Sequence, residues 1–191
     1  MTKILKIFPT VVYIEEDLLN DKEIEEAIKF CKEIKKKVPS KKIWVGDLYN
    51  TLLTHDVVKD DRFVKIINKV THHVNLFNKE HLSDYDYQPK SGWINMYEKT
   101  SDYQESHIHA HSTYSAVLFL KSNNNSSSLF FEKPLEDMKP PKNIKEFNNL
   151  TYNNYQIKPL PGRLVIFKSN IRHFVPPSKK NNSRITMAIN Y

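Results

Sequence analysis

The chain has 191 residues, long enough for one domain with a buried core and short for two. An apolar content of 39%, with ten Tyr and ten Phe, excludes a disordered chain; the single cysteine, Cys31, excludes a disulfide framework or a Cys-rich zinc site and fits a reducing cytoplasm. The net charge of +7 admits a nucleic-acid partner, but Lys22, Lys29, Lys32, Lys35, Lys36, Lys37, Lys41 and Lys42 are interspersed with Glu23, Glu25, Glu26 and Glu33 on or just after one helical stretch, the pattern of a solvated helix face.

No apolar run reaches the roughly 18–20 residues needed to cross a bilayer, and residues 1–9 lack the apolar core of a secretory leader, so a soluble cytoplasmic chain is expected. Residues 4–7 and 10–14 read as short strands broken at Pro9. A helix follows from about Asp21, which is placed to cap it; Ile24, Ala27, Ile28, Cys31 and Ile34 keep the i, i+3, i+4, i+7 stripe, and Pro39 ends it. Cys31, on that stripe, is expected as a buried thiol. Residues 40–54, with Trp44 and Gly46, read as irregular. A second helix is predicted over about residues 60–80, with Phe63, Ile66, Ile67, Val70, Val74 and Phe77 on one face. His72 and His73 on it point about 100° apart, too divergent to chelate together, and read as surface or packing residues.

From Gly92 the pattern changes to short strands: residues 93–98, 107–109, 115–121, 128–131, 152–158, 163–167, 173–175 and 184–190. Residues 123–128, Asn-Asn-Asn-Ser-Ser-Ser, read as a hairpin loop, and residues 132–149, with Pro134, Pro140 and Pro141, as a long excursion of the kind that forms lids or binding loops. Helices first and strands second give an α+β fold in a single domain. Residues 1–91 form a helical support region, and residues 92–191 form a β-core of double-stranded β-helix type (jelly-roll, cupin-like).

Three of the eight histidines stand in His107-Ile108-His109-Ala110-His111, just before an apolar run. Residues two apart on an extended strand share a face, so two imidazoles here form half of a metal site. The third ligand must come from a distant strand. His173 is the candidate: Gly162 makes a tight turn, an apolar strand follows, and a second turn delivers His173 into the next strand. Neutral imidazoles or carboxylates on one face, with other positions open, are what a redox-active iron site requires. Arg184, eleven residues later, opens the alternating strand 184–190. It is either a sheet-edge surface residue or a buried fork for a carboxylate, and its planar guanidinium suits a dicarboxylate co-substrate. Thr186 faces the same way and could add a hydroxyl.

Together, His-x-His, a downstream apolar strand, Gly162-x-Leu164-Val165-x-Phe167-x-Ser169, a distal His and an Arg about ten residues later resemble the 2-oxoglutarate and Fe(II)-dependent dioxygenase superfamily. More narrowly, the chain resembles a small bacterial and phage group of 2-oxoglutarate oxygenases related to prolyl 4-hydroxylases. The resemblance covers residues 92–191, with support from Phe8-Pro9-Thr10. It implies a hydroxylase that uses Fe(II), 2-oxoglutarate and O2 and releases succinate and CO2. Fe(II) would be held by His107, His109 and His173. Arg184 would pair with the distal carboxylate of 2-oxoglutarate, with Thr186 assisting. Tyr97 stands ten residues before His107, where related prolyl hydroxylases place a tyrosine contacting 2-oxoglutarate, and Asn95 lies on the same face.

The sequence departs from the family pattern at His109, where Asp or Glu is usual and for which His111 is a rival, and at Phe119, where a second co-substrate tyrosine is common. The substrate implied is a C–H bond of a protein or peptide, prolyl included, or of an amino-acid-like small molecule, facing residues 40–55 and 132–155. Nucleic acid is disfavoured: demethylases of the superfamily tend to carry a second arginine on the strand after the first, and residues 185–191 hold none. Two alternatives share the same histidines, a cupin-like or zinc-dependent enzyme and a catalytically silent metal-binding protein. The sequence leaves monomer and homodimer both open.

Overall fold

Ten strands, two helices and two 3-10 turns make up the described residues of the computed structural model, which are 3, 7–134 and 142–191. Residues 4–6 of the first expected strand and 135–141 of the expected excursion lie outside them. In chain order come β1 (Val12–Glu15), α1 (Asp21–Lys37), β2 (Tyr49–Asn50), the 3-10 turns Val57–Lys59 and Asp61–Phe63, and α2 (Val64–Lys79). β3 (Ser91–Tyr97), β4 (Gln104–His107), β5 (Tyr114–Lys121), β6 (Leu129–Glu132), β7 (Asn154–Ile157), β8 (Leu164–Lys168), β9 (His173–Val175) and β10 (Arg184–Asn190) follow.

The apolar stripes act as expected. Ala27, Cys31 and Ile34 of α1 are buried, with Ile24 and Ile28 packed beside them, and all six apolar residues expected on the second helical face are buried. Two boundaries differ. The cap of α1 is Asn20, not Asp21: the Asn20 side chain accepts from the Glu23 backbone N–H and the Glu23 carboxylate accepts from the Asn20 N–H, each at 3.0 Å. The second helix begins at Val64 rather than near residue 60, because the Asp56 and Asp60 carboxylates take the N–H groups of Val58 and Arg62 and bend residues 57–63 into two 3-10 turns. The lysines of α1 are exposed, apart from a half-buried Lys35.

The strands form a six-stranded sheet, β1-β8-β5-β10-β3-β2, and a four-stranded sheet, β4-β9-β6-β7, antiparallel throughout. β5 shows how the layers arise. Ala116, Leu118 and Leu120 face the helices, while Val117 and Phe119 face the smaller sheet. Full burial of each leucine is worth about 2 kcal/mol. Since β8 and β10 occupy both edges of β5, residues 123–128 do not close a hairpin; they carry the chain across to β6 in the other sheet. Gly162 makes the expected turn before β8 at φ +86°, its N–H bonded to Phe119 O and its carbonyl to Leu18 N, a conformation that side chains strain. Among the described residues no helix is long and apolar enough to cross a membrane.

Candidate metal and co-substrate site

Between the sheets, His107, His109 and His173 form the one group of three or more residues, among those described, able to hold a metal ion; their nearest donor atoms all lie within 4.8 Å of one another. His107 ends β4 and faces His173 of β9 across the ladder, with ring centroids 4.2 Å apart. His109 is not on a strand, contrary to the expectation of a strand over 107–109. The chain nevertheless turns Ile108 outward (44% exposed) and His109 inward, so the two rings stack with centroids 5.4 Å apart and planes at 14°. His111, the rival, is exposed in a turn at φ +67° and is not in this group.

Each ring is fixed through Nδ1. In His107 this atom meets Glu105 O at 2.7 Å, in His173 Ile171 O at 3.0 Å, and in His109 the Asn190 side-chain oxygen at 2.7 Å. Carbonyl oxygens only accept, so Nδ1 carries the proton and the Nε2 lone pair is left for a metal. Ser115 Oγ adds a contact to His109 Nδ1 at 2.8 Å and meets Ser169 Oγ at 2.7 Å. Burial, reinforced by the neighbouring imidazoles, holds His173 well below its ordinary pKa; burial brings His109 to about 4 and also lowers His107. All three are therefore neutral near pH 7, the form that ligates.

The triad shares a cavity of ≈ 20 Å³ with Trp93, Asn95, Gln104, Val117, Leu129, Val175, Arg184, Thr186 and Ala188. Arg184 is 2% exposed, so it is the buried alternative of the two expected from sequence. Its guanidinium lies between the rings of Tyr97 and Phe119, at 4.8 and 5.0 Å, and Nη1 donates to Ser127 O at 2.8 Å. No carboxylate pairs with it among the described residues, and its Nε has no partner. Thr186 and Asn95 line the cavity, with Asn95 Oδ1 unpartnered. Tyr97 supports Arg184 from below; its hydroxyl donates to Gln104 Oε1, and burial pushes its pKa up to about 12. Phe119, which departs from the family pattern, supplies the guanidinium's other ring face.

Several contributors were not foreseen. Trp44, from the irregular segment before β2, sets its ring 4.6 Å from that of His107, and Val45 N donates to the Glu105 carboxylate. Trp93, Ser115, Ser169 and Asn190 also surround the triad. Period-two counting from Arg184 would have found Asn190, which shares its face of β10. Nothing in the sequence brings Trp44 across to His107.

A family model described as "Putative 2OG-Fe(II) oxygenase" matches residues 91–190, from the first residue of β3 to the last of β10. No curated protein matches the chain. Similar solved structures include a prolyl-4-hydroxylase from Pseudomonas putida (12% identity, covering 95% of this chain and 92% of that one, TM-score 0.62). A prolyl hydroxylase from Trichoplax adhaerens, in complex with a hypoxia inducible factor oxygen degradation domain peptide fragment, is similar at 14% identity (94% and 83% covered, TM-score 0.64). So is the non-heme alpha ketoglutarate dependent epimerase SnoN from nogalamycin biosynthesis, at 12% identity (94% and 76% covered, TM-score 0.67). At such identities the likeness is one of fold.

Proposed function

The chain belongs to the 2OG-Fe(II) oxygenase family, which uses Fe(II), 2-oxoglutarate and O2, and from that premise we propose that His107, His109 and His173 bind the iron and Arg184 anchors the co-substrate. The observation that carries this is the buried, carboxylate-free guanidinium of Arg184 in the same cavity as three imidazoles whose Nε2 atoms are free. A buried cation without a counter-ion is costly, and a dicarboxylate supplies one. The donor set fits the group: three neutral nitrogens for a divalent ion, and the unpartnered Arg184 Nε and Asn95 Oδ1 beside them. A three-histidine zinc hydrolase site would have no use for Arg184.

Bound there, iron and co-substrate would, with O2 as the oxidant, supply the chemistry that converts a C–H bond to an alcohol while 2-oxoglutarate becomes succinate and CO2. The chain's own tasks are positional. Asn190, Ile171 O and Glu105 O keep the imidazoles in one tautomer and orientation. Arg184 and Thr186 hold the far end of the co-substrate, Tyr97 keeps the guanidinium level, and Asn95 borders the middle of the cavity. Val117, Leu129 and Val175 keep water from the reacting end. The alternation of strands between the two sheets supports a double-stranded β-helix as the scaffold.

A protein or peptide side chain, prolyl included, is the proposed substrate, supported by the peptide-bound relative, with a small amino-acid-like molecule as the next candidate. The Trp44 segment borders the triad and faces the incoming substrate. The test is 2-oxoglutarate turnover with added Fe(II) under air. Wild type is expected to form succinate, His173→Ala none, and Arg184→Ala to need far more 2-oxoglutarate. Unchanged turnover in both variants refutes the assignment.

A further inference from the structure

Facing residues of β3 and β10 form three rungs, Tyr97 with Arg184, Asn95 with Thr186, and Trp93 with Ala188, and all of these but Tyr97 line the cavity. Same-face rungs are two residues apart, so about 7 Å separates neighbours and about 13 Å the first from the third. The first rung carries the guanidinium. The third lies beside the triad, with the Trp93 ring 5.3 Å from that of His109. Trp93 is 4% exposed, yet its indole N–H has no acceptor. Buried donors are almost always paired, and one left unpaired destabilises the fold until an acceptor arrives. Ala188 opposite has no atoms beyond Cβ, which leaves that rung open.

We infer that Trp93 is a co-substrate-positioning residue: its indole N–H donates to the carboxylate at the 2-oxo end of 2-oxoglutarate while Arg184 holds the opposite carboxylate. This rests on the oxygenase function proposed above. Arg184 and Trp93 line the same cavity from the first and third rungs, so a diacid lying along that wall meets a donor at each end. The two anchors recognise two different ends, so each has its own ligand-truncation signature. A diacid held at both ends is presented in one orientation; one held by Arg184 alone could pivot about the guanidinium.

Trp93 and Trp44 are the chain's two tryptophans, so a nitrogen–proton correlation spectrum of the Zn(II)-loaded protein carries two indole signals, assigned with Trp44→Phe. Saturating 2-oxoglutarate is expected to move the Trp93 signal downfield. Levulinate keeps the ketone and the far carboxylate but lacks the near one, and is expected to leave the signal in place. In binding titrations Trp93→Phe should weaken 2-oxoglutarate about ten- to a hundredfold, as for a lost hydrogen bond to a charged group, and levulinate by less than about twofold. A Trp93 signal that ignores 2-oxoglutarate, or answers levulinate equally, overturns the inference, as does equal loss of both ligands in Trp93→Phe. Wild-type protein that binds Zn(II) but no 2-oxoglutarate would overturn the oxygenase function itself, and this inference with it.

Discussion

Replacing Arg184 by methionine should separate stability from co-substrate binding. In the ligand-free protein the guanidinium has one hydrogen bond, to Ser127 O, and two ring faces at 4.8 and 5.0 Å, set against complete loss of water. The favourable contacts amount to about 2–5 kcal/mol and desolvation to several kcal/mol of the opposite sign, so Arg184→Met should change ligand-free stability by less than about 2 kcal/mol. With co-substrate the balance differs. At 2-oxoglutarate a hundred times its Kd, Zn(II)-loaded wild type gains about 2.7 kcal/mol, which for a chain of this size raises Tm by about 5–11 °C. Loss of the guanidinium–carboxylate contact costs about 3 kcal/mol, a Kd rise of over about a hundredfold. The same ligand concentration then adds at most about 0.4 kcal/mol, or 1–2 °C. Thermal unfolding of both proteins, with and without ligand, measures all four values. A full ligand-induced shift in Arg184→Met, or a ligand-free loss above about 4 kcal/mol, would refute the reasoning.

Other expectations follow from neighbouring groups. Asn190→Ala removes the acceptor that holds His109 Nδ1 and should weaken metal binding about ten- to a hundredfold, read by competition with a chelator; undiminished affinity would show that Asn190 does not orient the ring. Burial holds His109 at about 4 against the ordinary 6.5, so between these values the unfolded chain takes up a proton that the folded one refuses. The His109 contribution to metal-free stability should be full above pH 7 and fall by about 3 kcal/mol as the pH drops from 6.5 to 4, with His107 and His173, also held below their ordinary pKa, lowering stability further; urea melts that are flat over that window would contradict it. Cys31 is fully buried, with its thiol pushed up to about 12, so a thiol reagent should modify it only as fast as the chain unfolds. Immediate stoichiometric labelling of native protein would count against that packing.

The helices were legible because their apolar stripes have one explanation, a buried face, and the strands because β5, β8 and β10 are apolar runs bounded by turn residues. Boundaries were less so. Asp60 looks like a helix start but its carboxylate closes a 3-10 turn first. Residues 123–128 announce a turn, yet nothing in a turn's composition says which sheet receives the chain next. At the site, the His107–His109 spacing placed both rings inward even though the strand stops at His107, because Ile108 stays outward. Spacing alone left Arg184 between surface and interior; its seat between Tyr97 and Phe119 depends on the register of three strands. Ser115 and Asn190 read in the sequence as ordinary polar residues and Ser169 only as a motif position, since their task beside His109 appears only when β5, β8 and β10 lie side by side.

The most direct test of the central claim is an anaerobic titration of the metal-free protein with Fe(II) and then 2-oxoglutarate, followed by visible absorption. A three-histidine iron site with Arg184 at the far end of its co-substrate predicts a metal-to-ligand charge-transfer band that saturates at about one equivalent of iron and is missing in His173→Ala. Wild-type protein that yields no such band with both components present would contradict it.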